Sequence, residues 1–94
     1  MKTLKNELEK ILTYLEKSSI DGYFETISVS DTKERVNEII RKIDNEFERK
    51  KAIKDLQILI APTGNIQEIS FDNGWGKDFL TIANNIDKIL ENEL

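Results

Sequence analysis

Leu4, Leu8, Ile11, Leu12 and Leu15 recur at three- and four-residue spacing, with Lys5, Glu9 and Lys10 off that stripe. Such a period belongs to an amphipathic helix. It predicts one over 3–18, with Thr3 as N-cap. Ser18-Ser19 and Asp21-Gly22 then interrupt the pattern, because Ser and Asp compete for local backbone hydrogen bonds and Gly relaxes the backbone. From Tyr23 to Ser30 the residues Phe24, Ile27 and Val29 mix helix and strand spacings, and a short helical turn is expected near 20–30.

A second stripe runs through Val36, Ile39, Ile40, Ile43 and Phe47. Ser30 or Asp31 would cap it, with Glu34 three residues beyond Asp31 as in a capping box, giving a helix over 31–48. Ala52, Ile53, Leu56, Leu59 and Ile60 continue a helical stripe over 50–61 until Pro62, which cannot extend a helix and biases Ala61 away from helical geometry. Asn65, with Glu68 three positions on, suits the cap of a single turn over 66–70. Asp72-Asn73-Gly74 marks a further break. Phe79, Ile82, Ala83, Ile86, Ile89 and Leu90 then form the inner face of a last helix over 75–92.

Four amphipathic stripes sharing one core predict an all-α fold, a compact bundle of about four helices within one domain spanning 1–94. The competing reading is α+β. Leu56–Ala61 and Ile66–Phe71 both contain alternating β-formers, and a hairpin over 56–71 could turn at Pro62-Thr63-Gly64-Asn65. Phe24–Val29 would then be a third strand.

A chain of 94 residues holds one domain, and at that size nearly every strongly apolar side chain is needed by the core. Charged residues make up 34% and hydrophobic residues 38%, which suits a folded globule rather than a disordered chain. The net charge of -4 disfavours nucleic-acid binding, which needs clustered Lys and Arg. An acidic chain suits a basic partner.

Histidine and cysteine are absent. Triads, thiolate nucleophiles and His- or Cys-supported metal sites are thereby excluded, leaving only carboxylate or lysine chemistry. Asp44 with Glu48, and Asp87 with Glu91, are spaced one helical turn apart, as a divalent cation or an acid–base pair would require. Solvated helix faces give the same spacing, which is the reading preferred here. Arg49-Lys50-Lys51 and Lys54 are surrounded by Glu46, Glu48 and Asp55 and read as surface salt-bridging rather than a phosphate track. No enzyme activity, cofactor or metal is expected. Charges through the first apolar stripe exclude a signal-peptide core, and no segment is long enough for a membrane span, so the expected setting is the cytoplasm without membrane contact. Abundant Ile, Lys and Asn resemble the usage of an AT-rich bacterial genome.

Asp72-Asn73-Gly74-Trp75-Gly76 holds the single Trp between two glycines at a helix start. Trp75 is therefore a candidate interface anchor, with Asp72 and Asp78 beside it as candidate partner-binding residues. The simpler alternative makes Asn73-Gly74 a turn and Trp75 a lid on the core. Leu59-Ile60-Ala61-Pro62-Thr63-Gly64-Asn65-Ile66-Gln67-Glu68-Ile69-Ser70, followed by Asn73-Gly74-Trp75, resembles small bacterial proteins with a Pro-Thr-Gly, Gln-Glu and Asn-Gly-Trp pattern. Small helical proteins of that kind resemble immunity proteins, which neutralise contact-dependent or polymorphic toxins. The resemblance spans about the last third of the chain, the scale of one supersecondary unit, and rests on turn and cap residues. It implies no catalytic residues. The expectation is a non-catalytic protein-binding domain, an immunity protein or antitoxin that binds a basic toxin domain; the alternative is a self-associating helical adaptor or regulatory module.

Overall fold

The computed structural model describes residues 2–19, 28–62 and 64–93. Among the described residues there are five helices: α1 Lys2–Lys17, α2 Val29–Ile43, α3 Arg49–Leu59, α4 Asn65–Asp72 and α5 Gly76–Glu93. The all-α expectation holds. One contiguous core joins all five helices. α1 packs against α2 and α5, α4 against α5 and α2, and α3 chiefly against α2. Leu4, Leu8, Ile11 and Leu15 of α1 meet Val36, Ile39 and Ile43 of α2 and Phe79, Ile82, Ile86 and Leu90 of α5 in this core. Each such aliphatic side chain contributes about 1.5–3 kcal/mol on burial.

The hairpin alternative is overturned, because Leu56–Leu59 ends α3 and Asn65–Asp72 forms α4. The expected single turn over 66–70 is thus a complete helix whose inner face is Ile66, Ile69 and Ser70. Alternation in a short apolar run does not separate the two states; tertiary packing of Ile66 and Ile69 decides. Gly64, not Asn65, is the N-cap of α4. A Cβ at Gly64 would fall 2.7 Å from the Leu59 carbonyl oxygen and 2.9 Å from that of Ala61, so only glycine fits between α3 and α4. Asn65 instead donates from Nδ2 to Oγ1 of buried Thr32, 3.1 Å, tying α4 to the start of α2.

α2 begins and ends earlier than its stripe implies. Ser28 is the N-cap, its Oγ accepting from the Asp31 amide at 3.1 Å, so Ser30 and Asp31 lie within the first turn. At the other end α2 stops at Ile43. Asn45 Oδ1 accepts from the Phe47 amide at 2.9 Å, and its carbonyl accepts from the Glu48 and Arg49 amides, so the side chain competes successfully with helical continuation. Arg49 Nε donates to the Ile43 carbonyl at 2.9 Å, satisfying a group the helix end would leave open. Phe47, expected on the inner face, is consequently held out of the protein and is 89% exposed.

Thr3 lies inside α1 rather than capping it. The short turn expected near 20–30 falls mostly on 20–27, outside the described residues, while Val29 and Ser30 open α2. Ions link the surface: Lys5 pairs with Asp44, and Lys42 donates to Glu38 at 2.6 Å. These hydrogen bonds hold the carboxyls of Asp44 and Glu38 below, and the Lys42 ammonium above, their ordinary ranges.

Candidate functional site

The Asp72–Gly76 segment is the corner between α4 and α5, and three helices lock it. Gly74 adopts φ +85°, the left-handed region that favours glycine. The Trp75 amide then donates to the Ser70 carbonyl at 2.8 Å, and the Trp75 carbonyl accepts the Phe79 amide at 2.9 Å to start α5. Asn73 bridges outward and inward: Nδ2 donates to the Ile69 carbonyl at 2.9 Å, while Oδ1 accepts the Ser19 amide at 3.0 Å. The end of α1 is thereby fastened to the corner.

Trp75 completes the lock. Its indole stacks on Tyr14 with centroids 4.9 Å apart and 9° between planes, and meets Phe79 edge-on at 6.2 Å. Nε1 donates to Ser18 Oγ at 2.9 Å, and that hydroxyl donates to the Tyr14 carbonyl at 2.9 Å. Only 5% of Trp75 is exposed. The ring lids the core, as the simpler of the two sequence readings had it, and offers almost no surface to a partner directly.

Asp72 and Asp78 are both exposed, on either side of the corner. The Tyr14 hydroxyl donates to Asp78 Oδ2 at 2.8 Å, and this bond, ahead of burial and the nearby negative charge, pushes the Tyr14 phenol above its ordinary value. Asp72 ends α4. Of the three candidate residues, then, two carboxylates reach solvent and the Trp between them stiffens the frame that carries them.

Sequence reasoning missed the apolar part of the surface. Phe71 is 53% and Leu80 48% exposed. A Cβ at Gly76 would lie 2.5 Å from Phe71 Cδ1, so the Phe71 ring rests directly on the Gly76 backbone. Leu80, one turn beyond Gly76, extends that apolar strip along the same face of α5. The signal was present: Phe71, Leu80 and also Ile58 are among the apolar residues left over once each helical stripe is assigned. From Asn65 to Glu91 five carboxylates, Glu68, Asp72, Asp78, Asp87 and Glu91, stand against Lys77 and Lys88. α3 has the opposite balance, with Arg49, Lys50, Lys51 and Lys54 against Asp55. Charge is thus segregated between the α4–α5 half and α3.

Glu7 is the buried acid of the core edge. Its Oε1 accepts from Lys10 Nζ at 3.1 Å and Asn85 Nδ2 at 3.4 Å, while Oε2 is buried without a partner. Among the described residues no three acidic side chains converge to hold a metal ion, and no helix is long and apolar enough to cross a membrane. Comparison with protein-family models, curated proteins and solved structures finds no match to this chain.

Proposed function

We propose that this chain is a non-catalytic protein-binding domain of the immunity-protein or antitoxin type, acting in the cytoplasm by covering a basic toxin domain. The observation carrying the reading is the α4–α5 face, where the half-exposed Phe71 and Leu80 form an apolar strip beside an excess of carboxylates. Apolar anchors supply most of the binding energy of an interface, and the surrounding charge raises the association rate and selects a basic partner. Trp75 serves this surface from beneath, by holding α1, α4 and α5 at one corner. The resemblance of the Pro-Thr-Gly and Asn-Gly-Trp segments to immunity-type proteins supports the same reading.

Co-expression with the proteins encoded beside it, followed by affinity capture and mass spectrometry, is the test. A single stoichiometric basic partner, released by the double change Phe71→Ser and Leu80→Ser and bound more weakly as salt rises, is the expected result. Capture of no partner removes the reading. Undiminished capture by the double variant removes the α4–α5 face from it.

A further inference from the structure

Asn73 is the only asparagine of the chain that is followed by glycine. Asparagine is a chemically labile residue, and a glycine after it leaves the next backbone nitrogen without a neighbouring Cβ to shield it. That nitrogen can attack the side-chain amide carbon. The same pair forms the corner that fastens α1 to α4 and α5, and there the fold opposes the attack at four points. At ψ 8° the Gly74 nitrogen nearly eclipses the Asn73 nitrogen and is swung away from Cβ, whereas ring closure needs it eclipsed with Cβ. The side chain is held at both ends, Nδ2 donating to the Ile69 carbonyl at 2.9 Å and Oδ1 accepting the Ser19 amide at 3.0 Å. The Gly74 amide is itself engaged, donating to the Phe71 carbonyl at 3.3 Å. Gly74 is exposed, so water reaches the peptide bond.

We propose that Asn73-Gly74 is a spontaneous deamidation site whose rate is set by local opening of the α1–α4–α5 corner. On opening, the Gly74 nitrogen bonds to Asn73 Cγ, the Cγ–Nδ2 bond breaks, and Nδ2 leaves as ammonia, carrying the proton given up by the Gly74 amide. Water then adds to either carbonyl of the cyclic imide, giving an aspartate or a β-linked isoaspartate at position 73. No oxidant, metal or second protein is consumed. The product cannot rebuild the corner as it was. A carboxylate has no proton to donate, so the Ile69 carbonyl faces an oxygen in place of Nδ2. The isoaspartate also lengthens the backbone by one atom, directly before the Trp75 amide that must reach the Ser70 carbonyl. Each event adds a negative charge between exposed Asp72 and Asp78. The corner is thereby a one-way timer: its opening starts the reaction, and the reaction weakens what holds it shut.

Ageing of the purified chain at mildly alkaline pH, followed by anion exchange and peptide mass spectrometry across position 73, tests this. Conversion in urea should run at least about tenfold faster than in the folded chain. Ser18→Ala, which removes the acceptor of the Trp75 Nε1 bond, should accelerate conversion of the folded chain at least about fivefold and leave the rate in urea unchanged. Should that variant fail to fold, Trp75→Phe keeps a stacking ring, removes the same bond and takes its place. The converted chain, separated by its extra charge, should melt below the parent, with red-shifted emission from its single tryptophan. Equal rates in folded and unfolded chain overturn the proposal, as does a folded variant that reacts no faster than the parent. A converted chain that melts and emits like the parent overturns the timer, because the Asn73 amide then holds nothing.

Discussion

The Trp75 indole lies parallel to the Tyr14 ring at 4.9 Å while its Nε1 donates to Ser18, the residue just past the end of α1. One side chain from the start of α5 therefore grips α1 at two points. The Tyr14 hydroxyl returns the contact by donating to Asp78 on α5.

Trp75→Ala should accordingly cost about 3–5 kcal/mol in denaturant unfolding, the range for removing a buried aromatic. Ser18→Ala, which strands the indole N–H, should cost about 1–3 kcal/mol. In a double-mutant cycle Ser18→Ala should lose most of its effect once Trp75 is Phe, because the donor is then gone. Additive costs would show that the Ser18–Trp75 bond contributes nothing to holding the corner.

The Tyr14–Asp78 bond has a pH signature. Tyr14 is raised above 10.0 in the folded chain, so its contribution to stability is fully present below 10.0 and is lost as pH rises through the higher folded value. Phenolate absorbance should show one tyrosine titrating later than a free phenol. Asp78→Asn should bring that titration back towards 10.0. An unmoved titration in the variant would mean that Asp78 is not the cause.

Ile43 and Phe47 were grouped on one stripe, yet their substitutions should differ sharply. Ile43 is fully buried, and Ile43→Ala should cost about 2–5 kcal/mol. Phe47→Ser should change the stability of the chain by less than about 0.5 kcal/mol. A large loss for Phe47→Ser would restore it to the core.

Two glycines are constrained for different reasons. Gly64→Ala must push a methyl against the carbonyl oxygens of Leu59 and Ala61, backbone atoms that cannot swing aside, and a loss of about 1–3 kcal/mol is expected. Gly74→Ala meets no atom within 4 Å but carries the φ +85° strain, about 1–2 kcal/mol. A thermal melt of Gly64→Ala matching the parent would show that the α3–α4 junction can open.

Glu7→Met should be neutral or stabilising by about 1 kcal/mol or more, since it replaces a buried carboxylate, one oxygen of which lacks a partner, by an apolar side chain. Marked destabilisation would show instead that the Lys10 and Asn85 bonds to Oε1 outweigh the burial of the charge.

Much of the helical skeleton was legible because its causes are local. Leu4 to Leu15 and Phe79 to Leu90 state their inner faces through a period of three and four, and the core contains them as expected. The same method failed where two local signals competed. Phe47 continues the α2 stripe in register, but the Asn45 side chain and the Arg49 cap end the helix before it. Ile66–Ser70 reads as a strand, a turn or a helix, and packing against the core settles it as part of α4. Of the candidate site, Asp72 and Asp78 were visible as charges at a helix start, whereas the burial of Trp75 depends on Tyr14 and Ser18, more than fifty positions away.

By itself, then, the sequence determined that the chain is helical and acidic, holds neither histidine nor cysteine, and must spend almost every apolar residue on one core. These follow from composition and from a repeat that each helix carries within itself. Tertiary structure alone decided that Trp75 is buried at the corner of α1, α4 and α5, and that Phe47, Ile58, Phe71 and Leu80 remain outside. A side chain's exposure is set by which distant helix covers it, and the 3.6-residue period says which residues share a face without saying what lies opposite.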